Sequence, residues 1–322
     1  MARLALLTSG GDAPGMNAAI RAVVRAATSH GIEVSGIRHG FEGLANEELT
    51  PMSRDSVANI IHLGGTILRT SRWPDFRLPE NQAKAAAVLE KHNIDYLVPI
   101  GGNGTLRGSA SLSQTVAARI AHVPSTIDND VYGTDFTIGF DTAVSTAVDA
   151  IDRVRDTVFS LERLFFVEVM GRQAGFIALE AGIAGGAHEV MVPEVPMSLS
   201  ELSQSIMESF KRGKTGCIVV VAEGDIPGGA FEVAKEVKAL TGIDSRVCIL
   251  GHTQRGGRPT ARDRVLATKL GVAAVEALLG GESGILVGEV SGQVTHMPLS
   301  EALTGRKPLD SSLVHLLKVA AG

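Results

Sequence analysis

Short apolar runs recur along this chain, and each breaks off into glycine. Leu4-Ala5-Leu6-Leu7 leads to Thr8-Ser9-Gly10-Gly11-Asp12-Ala13-Pro14-Gly15. Tyr96-Leu97-Val98-Pro99-Ile100 leads to Gly101-Gly102-Asn103-Gly104-Thr105, Ile218 to Ala222 leads to Glu223-Gly224, and Cys248-Ile249-Leu250 leads to Gly251-His252. Runs without polar alternation read as strands buried on both faces. Helical patterns lie between them, over Asn17 to Thr28, Thr142 to Val158 and Thr260 to Leu279. Strands alternating with helices predict an α/β fold with mainly parallel sheets. Ligands of such sheets gather at the carboxyl ends of the strands, where glycine lets backbone approach closely and take positive φ. One such loop reads as an ordinary tight turn. Four of them, several carrying polar residues, point to a phosphate ligand.

At 322 residues, and ~150 per domain, two domains are expected. No repeat, low-complexity stretch or linker marks a boundary, so a discontinuous division is compatible with the sequence. With 44% hydrophobic and 20% charged residues, the chain can bury a sizeable core and is not of disordered type. Lys plus Arg total 30 and Asp plus Glu 35, a net charge of −5. That argues against general nucleic-acid binding and leaves room for local basic pockets. The two cysteines, Cys217 and Cys248, both sit in apolar runs and read as buried, reduced thiols. No apolar stretch of about 18 residues lacks charge or glycine, so no membrane span is expected. Met1-Ala2-Arg3-Leu4 runs straight into a strand pattern, unlike a signal peptide. A cytoplasmic protein is the expectation.

Two nucleotide signatures fail. Gly213-Lys214-Thr215 ends like a P-loop, but the required earlier glycine is Glu208 and a strand pattern follows. The G-x-G-x-x-G pattern is absent after the first run. The strongest polar constellation is Ser125-Thr126-Ile127-Asp128-Asn129-Asp130, after a probable strand from Arg119 to Val123. An extended segment would put both carboxylates on one side, one to take a proton and one to help hold magnesium. The competing reading is an Asx-rich turn. Arg72, Arg163, Arg172, Arg246 and Arg255 sit at probable element ends, where guanidinium suits phosphate. Each taken singly reads as a solvated surface residue. His252 offers a hydrogen bond to a sugar or phosphate.

Taken in order, these segments resemble the bacterial ATP-dependent 6-phosphofructokinase family. The resemblance rests on Leu7 to Asn17, Gly64-Gly65-Thr66, Gly101 to Thr105, Thr126 to Asp130, Gly133 to Ala143, Glu168 to Arg172, Val221 to Gly224 and Leu250 to Gly257. It implies the phosphofructokinase fold, two Rossmann-like three-layer lobes with mainly parallel sheets. The larger, ATP-binding lobe would be 1–139 plus 255–306, and the smaller, sugar-phosphate-binding lobe 140–254 plus 307–322. The implied reaction passes the γ-phosphoryl of ATP, with magnesium (Mg2+), to the 1-hydroxyl of fructose 6-phosphate. The implied assembly is a homotetramer whose active sites are shared between subunits. By the same resemblance Asp128 is the general base, Arg172 stabilises the transferring phosphoryl, and Thr126 stands beside them. Thr126, Met170, Gly171, Arg172, Glu223, His252 and Arg255 match sugar-phosphate positions, and Arg163 and Arg246 match arginines that reach in from a neighbouring subunit. Gly11, Phe41, Arg72, Trp73, Gly102, Asn103, Gly104, Thr105 and Gly108 match the ATP site. Asn103 and Asp130 match the metal positions. Arg21, Arg25, Arg54, Arg155, Gly186, His188, Arg212 and Lys214 match an effector site for ADP or phosphoenolpyruvate.

The departures carry their own expectations. Asn103 stands where the family has a magnesium-site aspartate, so weaker magnesium–ATP use is expected, with a loss of roughly 10- to 1000-fold. Diphosphate-using relatives typically carry aspartate where this chain has Gly104 and lysine where it has Ser125. Gly104 therefore favours ATP, while Ser125 is neither pattern's usual residue. His188 replaces an acid of the effector site, which predicts altered ADP activation. Phe41 replaces a tyrosine near the nucleotide, keeping stacking area. Leu161 and Gln173 replace residues that are often histidine. Three rivals stand beside the ATP-dependent enzyme: a diphosphate-dependent kinase, a kinase of a related sugar phosphate, and a weakly active or non-catalytic regulatory paralogue that binds the same ligands.

Overall fold

The computed structural model describes residues 2–320. The chain divides into two compact units. Unit 1 runs to Thr142 and resumes over Arg255–Lys307, and unit 2 takes Ala143–Gln254 and the chain from Pro308 onward.

Unit 1 opens with β1 (Arg3–Ser9), α1 (Met16–Ser29), β2 (Glu33–Ile37), α2 (Gly40–Ala45) and β3 (Leu49–Met52). It continues through α3 (Pro79–Lys91), β4 (Tyr96–Gly101), α4 (Asn103–Ser113) and β5 (Arg119–Pro124). Helix α5 (Phe140–Leu161) begins in unit 1 and carries the chain into unit 2. Unit 2 holds β6 (Leu164–Val169), α6 (Phe176–Ala184), β7 (Glu189–Met191), α7 (Leu199–Lys211), β8 (Cys217–Ala222), α8 (Gly229–Thr241) and β9 (Ser245–Ile249). Unit 1 is completed by α9 (Ala261–Leu279), β10 (Ile285–Val290), β11 (Gln293–Pro298) and α10 (Leu299–Thr304), and α11 (Ser311–Ala320) belongs to unit 2.

The sheet of unit 1 has the order β11-β10-β5-β4-β1-β2-β3. Its five central strands run parallel, and β3 and β11 pair antiparallel at the edges. Six of the seven residues of β1 are buried, as unalternating apolar sequence requires of a central parallel strand. On one face Ala5, Leu7, Leu97 and Ile120 meet Phe41 of α2, Val88 and Leu89 of α3 and Leu106 of α4. On the other face lie α1 and α9. These two helices approach closely where Gly271 backs onto Ala19 and Ala22.

The sheet of unit 2 is wholly parallel, in the order β7-β8-β6-β9. Leu164, Phe166, Val219 and Val221 pack on Leu202 and Ile206 of α7 and on Ala230 and Val233 of α8. Helix α6 lies against β7 and β8, and α11 packs on α6. Ser198 and Glu201 close a reciprocal capping box at the start of α7. The fold is therefore α/β, with mainly parallel sheets. One expectation is corrected at β9. It is an edge strand with no fully buried residue, so Cys248 is only half-buried, whereas Cys217 in central β8 is buried. Both thiols are free.

Candidate active site

In unit 1 the candidate residues gather at the carboxyl ends of β1, β4 and β5. The turn from β4 into α4 begins at Gly101, and Gly102 is the N-cap of α4. Backbone N–H groups at such a helix start suit a phosphate. Thr105 Oγ1 donates to Ser9 O at 3.0 Å, joining the turn to the end of β1. Thr126, just beyond β5, presses on Gly102, its Cβ 3.2 Å from where a Gly102 Cβ would stand. Asn103 Nδ2 donates to Asp130 O at 3.3 Å. Gly104 is exposed and nothing lies within 4 Å of the space its side chain would fill.

The segment after β5 is not extended. Ile127 and Asp128 form a turn, and Asn129 takes a left-handed backbone with φ 52°. Its side chain explains the shape: Oδ1 accepts from Thr137 N at 2.9 Å, and Nδ2 donates to Asp135 O at 3.2 Å. Thr137 Oγ1 donates in turn to Thr126 O at 2.6 Å. Of the two geometries the sequence offered, the Asx-rich turn is the one adopted, and the carboxylates are presented by it. Asp128 is buried, at 4% exposure, and its backbone N–H donates to Thr126 Oγ1 at 3.2 Å. Asp130 is partly exposed.

Arg255 is also in unit 1. Its Nη1 donates to Asp12 O at 3.1 Å, and Arg255 and the exposed Arg72 both reach Gly11. Two guanidinium groups and the β1–α1 turn are thereby brought together. Phe41 differs from expectation. Its ring is stacked on Phe76 at 4.3 Å, packs over Gly108 and is only 4% exposed, so it is core beneath the turn. Trp73, tilted against Phe76 at 5.8 Å, is the half-exposed ring of that group. Arg21 and Arg25 lie on α1, and Arg54 is exposed after β3. Burial, then Arg25, lowers the pKa of Arg21.

In unit 2 the candidate residues occupy the ends of β6 and β8. Gly171 has φ 146° and a backbone carbonyl, Ala174 O, where a side chain would need to be. Arg172 follows in a left-handed conformation, φ 55°, uncommon without glycine and a form of strain that clusters at functional loops. Arg172 N donates to Glu223 Oε1 at 2.8 Å. Gly224 is required there, since a Cβ would fall 1.5 Å from Arg172 O. Met170 is buried, and its N–H donates to Gln254 Oε1 at 2.8 Å. His252 and Arg246 are exposed and Arg163 is half-buried.

The phosphofructokinase family model matches residues 3–278. The chain belongs to the phosphofructokinase family. It is 54% identical to the ATP-dependent 6-phosphofructokinase 1 of Thermus thermophilus, over all of both chains, and 50% identical to that of Clostridium perfringens, over 98% of each. The phosphofructokinase structure from Saccharomyces cerevisiae superposes with a TM-score of 0.87 at 36% identity. That match covers all of this chain and 47% of the yeast chain, so this chain spans about half its length.

Within this phosphofructokinase, a second cluster lies elsewhere in unit 2. Arg155, Phe159, Gly186, His188, Lys214 and Ile218 are among the residues lining an open pocket of about 380 Å³. Arg155 Nη2 donates to the carbonyls of Gly185 and Gly186 beyond α6. Arg212 Nη2 donates to Ser209 Oγ at 3.1 Å. The hydroxyls of Ser209 and Ser205 lie 3.0 and 3.3 Å from His188 Nε2, and among the described residues its buried Nδ1 has no hydrogen-bond partner. Burial first, then Lys214, lowers the pKa of His188, so the imidazole is held neutral.

Sequence reasoning gave no role to Gln254, to Asp263, whose carboxylate accepts from Gly139 N, Thr142 N and Thr142 Oγ1, or to His122, a buried side chain of β5. Asn129 lay inside a quoted motif, where its αL tolerance was the available signal. His122, in the run Ile120-Ala121-His122-Val123, was a polar interruption of a buried strand.

Proposed function

We propose that the chain is an ATP-dependent 6-phosphofructokinase, transferring the γ-phosphoryl of ATP to the 1-hydroxyl of fructose 6-phosphate. The observation that carries the reading is the buried Asp128 carboxylate, in a turn beside the glycine-lined start of α4. Asp128 takes the proton of the sugar's 1-hydroxyl. Phosphoryl transfer otherwise needs positioning and charge stabilisation. Gly11, Arg72, Gly102, Gly104 and Thr105 hold the nucleotide, with Trp73 at its edge. Thr126, Met170, Gly171, Glu223 and His252 hold the sugar phosphate, Arg172 stabilises the transferring group, and Arg163 and Arg246 serve a neighbouring subunit in a homotetramer. Arg255 belongs to the phosphate-binding groups, joined by its Asp12 contact to the Gly11 turn. Two features support ATP over diphosphate. The space at Gly104 is open, and the Ser125 hydroxyl is fully buried, donating to Ile138 O at 3.2 Å.

Magnesium fits this site only in part. Among the described residues no group of three or more His, Cys, Asp or Glu is placed to hold a metal. Mg2+ ordinarily takes one or two carboxylates plus substrate phosphates and water. Asp130 would supply a carboxylate and Asn103 a neutral carbonyl. The ion, when bound, neutralises phosphate charge. With Asn103 in place of a second carboxylate, the turn would hold it weakly, and this favours a second reading, a regulatory subunit that binds both ligands with little turnover. The unit 2 pocket binds an anionic effector of the ADP or phosphoenolpyruvate kind, with His188, Lys214 and Arg155 as its polar wall.

Steady-state turnover with fructose 6-phosphate, comparing ATP and diphosphate at matched magnesium, tests the proposal. ATP-dependent formation of fructose 1,6-bisphosphate is expected. Ligand-induced melting shifts with no turnover would establish the regulatory reading instead.

A further inference from the structure

His122 lies within β5 and is fully buried. The chemistry proposed above makes no use of it. Its Nε2 is 3.0 Å from Gly101 O, and its Nδ1 is 3.1 Å from Ser109 Oγ. A carbonyl only accepts, so Nε2 carries the hydrogen and Nδ1 of the neutral ring presents a lone pair.

Gly101 ends β4 and Ser109 lies in α4. Between them stands the turn Gly102-Asn103-Gly104-Thr105. One side chain on the neighbouring strand therefore grips both limbs of that turn. Gly101 O takes a second donor, Ser125 N, at 3.0 Å. Ser109 Oγ also lies 2.9 Å from Thr105 O, and Thr105 Oγ1 reaches Ser9 O. The serine has one hydrogen for two acceptors, which couples the histidine to the first turn of α4. His122, Ser109, Thr105 and Ser9 are all buried, while Gly104 at the tip is exposed. Buried, connected polar groups of this kind fix geometry strongly, because the low local dielectric strengthens each bond.

We propose that His122 is a positioning residue that holds the β4–α4 turn in the geometry that receives the nucleotide's phosphates. The inference rests on the ATP-dependent reading above. An apolar residue at 122 leaves the β5 ladder to form and Ser125 N on Gly101 O, so the fold persists while the turn loosens. Small displacements of a phosphate-binding turn weaken ligand contacts out of proportion to their size.

The chain's one tryptophan, Trp73, stands in the proposed nucleotide set. Its fluorescence during MgATP titration without sugar reads affinity independently of turnover, and the KM for ATP reads the same effect in the assay. His122→Leu is expected to weaken nucleotide affinity roughly 3- to 10-fold, with the KM for fructose 6-phosphate unchanged. His122→Gln, which restores a donor toward Gly101 O, is expected within about twofold of the parent. Ser109→Ala, which cuts the helix side alone, is expected to weaken nucleotide affinity as well, and it carries the test if His122→Leu does not fold. A lowered melting temperature with unchanged nucleotide affinity would mean a merely structural histidine and overturn the inference, as would equal losses in the Leu and Gln variants. A parent with neither nucleotide binding nor turnover would overturn the ATP reading itself, and this inference with it.

Discussion

Acid should unfold this protein earlier than its net charge suggests, and His122 is the reason. Burial pushes its pKa down from 6.5 to about 4, opposed only by the bond to Gly101. In the unfolded chain the same imidazole takes its proton near 6.5. Between those values the unfolded state binds more protons than the folded one, so stability is lost as pH falls. The full difference is worth about 3 kcal/mol, at about 1.4 kcal/mol per pH unit. The loss begins near pH 6.5, is complete near pH 4 and adds nothing below. Urea unfolding of the parent and of His122→Gln at half-unit steps from pH 8 to 4 isolates the contribution, since the glutamine does not titrate. The difference between the two stability curves should change by about 3 kcal/mol across that window. Parallel curves would refute the claim that burial holds the ring neutral.

Asn103→Asp removes the donor to Asp130 O and sets a carboxylate against that carbonyl. It should lower the melting temperature without magnesium and raise kcat/KM with MgATP roughly 10- to 1000-fold. No gain in rate or in magnesium affinity would count against Asn103 as the weakened metal position. Asp263→Ala orphans the Gly139 N, Thr142 N and Thr142 Oγ1 donors that the carboxylate now accepts from at 2.5–2.8 Å. It should cost about 3 kcal/mol or more by denaturant titration; a loss near zero would mean that these groups find other partners. His188→Glu puts an acid among Lys214 and Arg212 and should strengthen magnesium-dependent ADP activation, read from ADP response curves. An unchanged response would remove His188 from the effector pocket.

The strands were legible because burial on both faces leaves a mark in composition. Leu4–Leu7, Tyr96–Ile100, Arg119–Val123 and Ile218–Ala222 all lie inside observed strands. The run at Cys248 shows the limit of that rule, since an apolar edge strand reads the same as a central one until its neighbours are known. Asp128 and Asp130 were visible and an Asx-rich turn was one of the two readings, but the choice between them was not fixed, because it depends on Asn129 finding Thr137 and Asp135 several residues on. Phe41 was misplaced for a similar reason: an aromatic near a glycine turn can face a ligand or the core, and its stacking on Phe76 decides for the core. Gln254 and His122 gave little signal, since a single buried polar residue declares its partner only in three dimensions.

The passage from Thr142 to Ala143 falls within the opening turns of α5, not in a linker. A truncation made at that point would sever a helix at its root and leave Thr142, whose N–H and hydroxyl both donate to Asp263, as the last residue of its segment. Dissection of this chain by simple scission is therefore ill-suited to it, and a fragment ending there would need α5 carried on until it can terminate on its own.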